Sequence, residues 1–379
     1  MNKFDKKLLK INIEKVAQYD FDNHKVFGCA YCVIQEDTIL YKNCFGYTSN
    51  DGSEPVTGNT LFRLASMTKP ITAIATLILV ERGQLSLSDK VSDYLPEFKD
   101  IHIKHLINDN EEIDFGKAKN DITIRHLLTH TSGVGSNDAK AQKMTDEDRK
   151  NIDNTVKYHC KAGIDFEPGT KQQYSGTGAF DVLVKIIEKI TQTDYLTFLK
   201  REIFEPCEMT NTTFVPTKEQ WERIIAMHSK VDGKNTIVQM KENCVFVNYP
   251  CTHYLGGAGL VSSLDDYSKF AKMLLNNGKT PRKQILGEET FKLLHTPFVS
   301  EDIMPSNERW GLGVRVIVKE EYKTLPVGTY GWSGAYGSHF WIDPINKIAA
   351  VYMKNSLFDG GAGNESAWNF EKAVNDSFH

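Results

Sequence analysis

The stretch Phe62-Arg63-Leu64-Ala65-Ser66-Met67-Thr68-Lys69-Pro70 decides how this chain is read. An apolar face follows it, with Ile71, Ile74, Ala75, Ile78 and Leu79 recurring at helical spacing. The pattern predicts a helix over 66–84, with Gly83 as its stop. Pro70 fits the first turn, where a backbone N–H has no helical partner to lose. Ser66 and Lys69 then lie one turn apart on one face. A serine hydroxyl is a poor nucleophile until a base takes its proton. A lysine serves as that base where burial and a positive helix N-terminus work against its charge. Ser-x-x-Lys is short, and a single occurrence reads as an ordinary surface pair. It acquires meaning from what lies on either side.

Working outward, residues 26–35 and 38–47 read as two strands split by Glu36-Asp37, a hairpin signal. Leu8, Leu9, Ile11, Ile13 and Val16 predict an amphipathic helix before them. From 85 to 280 the chain reads as helix and polar loop. Residues 180–190 and 265–275 are periodic, the latter with Ser263 as N-cap. The charged stretches 108–121 and 138–153 read as surface loops or solvated helix faces. Strands return at 311–318, 327–332, 338–342 and 347–353, with turn chemistry in Asp343-Pro344-Ile345-Asn346. Residues 365–378 read as a closing helix. The expected fold is α+β: an antiparallel sheet built from both ends of the chain and flanked by terminal helices, with a mostly helical second domain. The expected division places residues 1–84 and 281–379 in the sheet domain and 85–280 in the helical one.

Two further motifs follow Ser-x-x-Lys in order. Tyr174-Ser175-Gly176 stands in a loop before the 180–190 helix, and Trp332-Ser333-Gly334-Ala335 stands between two predicted strands. This order resembles the serine β-lactamases, penicillin-binding proteins and related family VIII carboxylesterases. The segments His126-Leu-Leu-Thr-His-Thr-Ser-Gly133, Gly256-Gly-Ala-Gly-Leu-Val-Ser-Ser263 and Phe340-Trp-Ile-Asp-Pro344 match as well, so the resemblance runs from about residue 25 to the C-terminus.

The resemblance implies a β-lactamase/transpeptidase-like fold with its active site in the cleft between the two domains. Ser66 would be acylated. Lys69 would take its proton, or hold Tyr174 as the phenolate that does so. Tyr174 would serve the leaving group and later the hydrolytic water. The N–H groups of Ser66 and Ala335 would form the oxyanion hole, and Gly176, Trp332, Ser333 and Gly334 would line the substrate site. The chemistry calls for no metal or organic cofactor.

Two departures bear on substrate. Tyr-Ser-Gly replaces the Tyr-x-Asn common in β-lactamases, removing a side-chain amide. Trp332-Ser-Gly replaces Lys-Thr-Gly, removing a cation that faces a substrate carboxylate. A charge-assisted hydrogen bond of that kind is worth about 1.5–3 kcal/mol. Arg63 and Lys230 are the candidates to supply a cation from elsewhere. The expected substrate is therefore a small ester or amide, with esters favoured over lactams. A class C-like β-lactamase or D-amino-acid peptidase is the second reading, and a non-catalytic binding module is the third.

Composition agrees with a small-molecule partner. A net charge of −4 gives no reason to expect nucleic acid or an anionic membrane. The longest apolar run, near 71–80, is too short to span a bilayer. The N-terminus lacks the apolar core of a secretory signal, so a cytoplasmic location is expected. Seven scattered cysteines do not form a disulfide framework. Cys29 and Cys32 form a Cys-x-x-Cys within a predicted strand and read as reduced core thiols. His126 and His130 have helical metal-pair spacing without the general-base glutamate, and read as a packed corner. The Gly256–Gly259 cluster reads as tight backbone near the pocket.

Overall fold

The computed structural model describes residues 4–378 apart from 50, 109–110, 232–233, 239–252 and 323. Its centre is a seven-stranded antiparallel sheet. The strand order is Thr38–Gly46, Gly28–Gln35, Ile348–Met353, His339–Asp343, Tyr330–Ser333, Arg315–Ile317 and Glu308–Trp310. The two ends of the chain meet where Gly28–Gln35 pairs with Ile348–Met353, from Ala30 opposite Met353 to Gln35 opposite Ile348. The first hairpin turns at Glu36, which takes a positive φ of 53°. The last turns through Asp343, whose Oδ1 accepts from the N–H groups of Ile345 and Asn346.

Period-two alternation sends the strand residues to two different cores. Cys29, Tyr31 and Val33 pack with Leu9 and Ile13 of the N-terminal helix Lys6–Asp22, and with Phe370 and Val374 of the C-terminal helix Glu365–Asn375. Ala30, Cys32 and Ile34 face the larger core, which holds the Lys69–Glu81 and Leu264–Leu275 helices. The two cysteines of Cys-x-x-Cys therefore point to opposite faces, and both thiols are unpaired. The larger core continues without a break from Val351 of the sheet through Ile71 and Leu77 to Phe180 and Leu183. Leu264–Leu275 lies directly on the sheet, with Tyr267 edge-on to Phe340 and its N-cap Ser263 accepting from Asp266 N–H.

Several details differ from the sequence expectation, among them a β-hairpin of Met227–Val231 with Lys234–Val238 where helix and loop were expected. Ile11 is 48% exposed, because the buried stripe of the first helix runs through Leu9, Ile13, Val16 and Ala17 instead. The charged stretch after residue 101 is a β-hairpin, His102–Asn108 with Glu111–Lys117. Its alternation was diluted by charges, and Ile107, Ile113 and Phe115 remain exposed. The strand Glu308–Trp310 was missed, since Gly311 and Gly313 break its periodicity with Arg315–Ile317. Cys244 and Cys251 lie outside the described residues. No helix among the described residues is long and apolar enough to cross a membrane.

Candidate active site

Ser66 stands in a single 3₁₀ turn, Ala65–Thr68, joined directly to the Lys69–Glu81 helix. The sharp entry is set by Ala65, whose φ of 44° lies in the left-handed region. A non-glycine residue there carries about 1–3 kcal/mol of strain, a cost that clusters at functional sites. The short strand Leu61–Arg63 leads into the turn and pairs with Val261–Ser263, while Leu64 N–H donates to the Leu260 carbonyl. The turn is thereby clamped from both sides, leaving Ser66 half-buried at its apex.

Lys69 is fully buried. Its Nζ lies 3.3 Å from Ser66 Oγ and donates to the carbonyls of Gly176 at 2.6 Å and Gly257 at 2.9 Å. An amine in this position satisfies both hydrogens on the carbonyls and keeps its lone pair toward Ser66, whereas an ammonium donates to all three oxygens. Tyr174 approaches from the other side, its hydroxyl donating to Ser66 Oγ at 2.7 Å and accepting from Trp332 Nε1 at 3.2 Å. The Lys69 ammonium position is 4.8 Å from the centre of the Tyr174 ring. Ser66 and Lys69, Tyr174, and Trp332 are thus brought together from three separate parts of the sequence.

The remaining expected residues divide. Gly176 belongs to the cluster through its carbonyl. Gly334 presses its backbone against the nucleophile turn: a Cβ there would lie 2.4 Å from the Leu64 carbonyl oxygen, so glycine is required for the approach. Ala335, next along, is exposed. The Ser333 hydroxyl is bonded to His339 Nδ1 at 2.8 Å, and His339 Nε2 bonds Glu371 Oε1 at 3.0 Å. That side chain is therefore directed to the C-terminal helix and not into the Ser66 cluster. Arg63 donates to the Ile225 carbonyl and covers the Trp221 ring. Lys230 donates to the Asn23 carbonyl and covers Phe358.

Sequence reading missed the box around Tyr174. His130 lies 4.5 Å from its ring centre, Trp332 5.5 Å and Trp310 5.8 Å. His130 is held neutral, well below the ordinary imidazole range, by burial and then by the nearby Lys69 charge. Its Nδ1 accepts from Ser175 N–H, fixing the Tyr174 loop. His126, four residues earlier, completes a capping box with the N-cap Thr123: its N–H donates to Thr123 Oγ1 and its Nδ1 accepts from Thr123 N–H. The histidine pair therefore serves packing, and no cluster of metal-binding side chains occurs among the described residues. The glycine cluster is the tight segment expected, since a Cβ on Gly257 would meet Gly176 O at 2.9 Å and Lys69 Nζ at 3.1 Å.

An all-antiparallel sheet with terminal helices on one face and a buried Ser-x-x-Lys helix on the other defines a class, the serine β-lactamase fold. The chain belongs to the beta-lactamase family, whose model matches residues 13–372. It is 28% identical over 346 residues to Protein Rv1367c of Mycobacterium tuberculosis, covering 86% of this chain and 85% of that one. It is 25% identical over 386 residues to Esterase EstB of Burkholderia gladioli, covering 94% and 92%. Among solved structures it superposes on EstCE1, a hydrolase with promiscuous acyltransferase activity, with a TM-score of 0.83 at 23% identity over 97% of this chain and 99% of that one.

Proposed function

We propose that this protein hydrolyses a small carboxylic ester through an acyl-Ser66 intermediate. The observation that carries the reading is the three-atom cluster of Ser66 Oγ, Tyr174 Oη and Lys69 Nζ, with 2.7 and 3.3 Å from the nucleophile to its partners. Ser66 Oγ attacks the carbonyl carbon as its proton passes to the Tyr174–Lys69 pair. The tetrahedral oxyanion is held by the N–H groups of Ser66 and Ala335, each donor worth about 3–4 kcal/mol. Collapse breaks the C–O bond, and the departing alkoxide takes the proton from Tyr174. Water then attacks the acyl-serine, giving its proton to the same pair; collapse breaks the bond between Ser66 Oγ and the acyl carbon, Oγ takes that proton back, and the carboxylic acid departs.

An ester is favoured for three reasons. Gly176 offers no side-chain amide to an acylamide substrate. Trp332 stands where a carboxylate-binding lysine would be, and Arg63 and Lys230 are committed to other partners. The similarity to Esterase EstB points the same way. A class C-like β-lactamase or D-amino-acid peptidase is the alternative within the fold. The five described cysteines are free thiols, which supports placing the protein in a reducing compartment, the cytoplasm.

The test is intact mass and turnover with a p-nitrophenyl ester, nitrocefin and a fluorophosphonate, with Ser66→Ala as control. Ester turnover and a Ser66-dependent adduct, with little nitrocefin cleavage, are expected. Fast nitrocefin cleavage would replace the ester reading with the lactam one. No adduct with any probe would leave a non-catalytic binding module.

A further inference from the structure

Beneath Lys69 lies a carboxyl group that the mechanism above does not use. Asp181 sits in the first turn of the Gly178–Thr191 helix and is fully buried. Its Oδ1 accepts the Gly256 N–H at 3.1 Å, while its Oδ2 has no hydrogen-bond partner among the described residues. Gly256 is gripped at its other end too, its carbonyl accepting from Thr72 Oγ1 at 2.6 Å, and Thr72 is in turn bonded to Tyr195 Oη at 2.7 Å. The next residue, Gly257, presents the carbonyl that receives Lys69 Nζ. The turn is wedged so tightly that a Cβ on Gly256 would lie 2.4 Å from Val184 and 2.6 Å from the Phe180 carbonyl oxygen, both on the Asp181 helix.

We propose that Asp181 is a positioning residue for Lys69: as a hydrogen-bond acceptor it fixes the Gly256–Gly257 turn, and so the carbonyl that aims the lysine at Ser66. The inference rests on the hydrolase reading above. Its logic is geometric. A long lysine side chain with three oxygens in reach has its direction decided by the oxygens that are rigid, and Gly257 O is rigid because Gly256 is bonded on both sides. Neutrality matters because a carboxylate here would draw the Lys69 charge away from Tyr174 and Ser66. Burial keeps the proton on Asp181, pushing its carboxyl up to about 8 against the pull of Gly256 N–H and Lys69. From the other elements packed here, Lys69 of its helix and Tyr195 of the Tyr195–Leu199 helix are the ionisable groups that interact with it, and Tyr195 is itself held protonated by burial.

The experiment compares Asp181→Leu, which removes the acceptor, with Asp181→Asn, which keeps a neutral one. At pH 7 the Leu variant is expected to lose roughly 10–100-fold in kcat and in fluorophosphonate labelling of Ser66, with KM little changed. The Asn variant restores most of that loss. Thermal melting supplies the second readout. The folded wild type keeps a proton that the unfolded chain gives up near the ordinary 3.8, so its stability falls as pH rises from there toward about 8. The Asn variant escapes this, and its margin over wild type should widen between pH 5 and pH 8. A folded Leu variant with wild-type kcat would overturn the inference. So would an Asn variant as slow as Leu, or a margin that does not change with pH. A wild type giving no Ser66 adduct would instead defeat the hydrolase reading, and the melting comparison would still decide whether Asp181 is held neutral.

Discussion

On the ester reading proposed above, Trp332 is the residue on which substrate choice turns. Its indole N–H is spent on Tyr174, and its ring closes one side of the aromatic box with Trp310 4.5 Å away. On that reading such a surface would recognise an uncharged acyl or alcohol group through contact area and ring geometry, worth about 0.5–1.5 kcal/mol per aromatic pair beyond burial. Trp332→Lys replaces that surface with a cation. Nitrocefin cleavage relative to ester cleavage is expected to rise by about 10–100-fold, the equivalent of a charge-assisted bond. An unchanged ratio in kinetics of the folded variant would show that position 332 does not select substrate. Ser66, Lys69 and Tyr174 were legible because Ser-x-x-Lys is local and the Tyr-Ser-Gly motif keeps its order. Trp310 and Asp181 were not, because nothing in their own neighbourhoods marks them, and the spacing that marked His130 pointed to a pair with His126 and not to the Tyr174 ring it packs on. They matter only through packing across distant segments, such as the Trp310 ring lying against Tyr174.

Among the elements, the contact that brings the halves of the site together is the end of the Tyr330–Ser333 strand against the Ser66 turn. Gly334 permits that contact by having no side chain, and its N–H donates to the Ser338 carbonyl at 2.7 Å, closing the turn that carries Ala335. A methyl group here meets a backbone oxygen, which cannot swing aside as a side-chain tip would. Gly334→Ala should therefore push strand and turn apart, costing about 1–3 kcal/mol of stability. Displacing the Ala335 amide by about 1 Å should also slow acylation about 100-fold. Melting temperature and the fluorophosphonate labelling rate check the two effects separately. A folded variant that labels at the wild-type rate would remove Ala335 from the oxyanion hole. The helix and strand types around this contact were readable from period and caps. The hairpin after residue 101 was not, because its apolar residues Ile107, Ile113 and Phe115 stay exposed among charged neighbours, so no buried face imposes an alternation on the sequence.

For the molecule as a whole, the sheet is locked to its closing helix by a buried polar chain. Glu371 accepts from Arg315 at 2.8 Å, Thr324 at 2.6 Å and Tyr322 at 3.2 Å, and is bonded to His339, which continues to Ser333. Sequence reading placed the closing helix and all but one strand of the seven-stranded sheet near their sites, yet this chain of bonds depends on strand order, which spacing alone does not encode. Burial alone would raise the Glu371 carboxyl, but its bonds and charges from His339, Arg315 and Thr324 prevail and hold it down at about 2. The folded state thus releases that proton more readily than the unfolded chain, where the group returns to its ordinary 4.5. The stabilisation is complete above that value and is lost as pH falls from about 4.5 toward 2. His339, held below its ordinary range mainly by burial, adds to the loss on the acid side. Glu371→Gln keeps the volume but leaves Arg315, among the described residues, with Glu308 at 3.2 Å as its remaining acidic partner. Denaturant unfolding at pH 7 is expected to show a loss of about 3 kcal/mol, the scale for breaking one side of a buried ion pair. The gap between variant and wild type should narrow as pH falls below 4.5, because acid takes from the wild type what the substitution has already removed. A gap that stays constant down to acid unfolding would mean that the helix is held by its apolar face, through Phe370 and Val374, and that the charge on Glu371 contributes nothing to it.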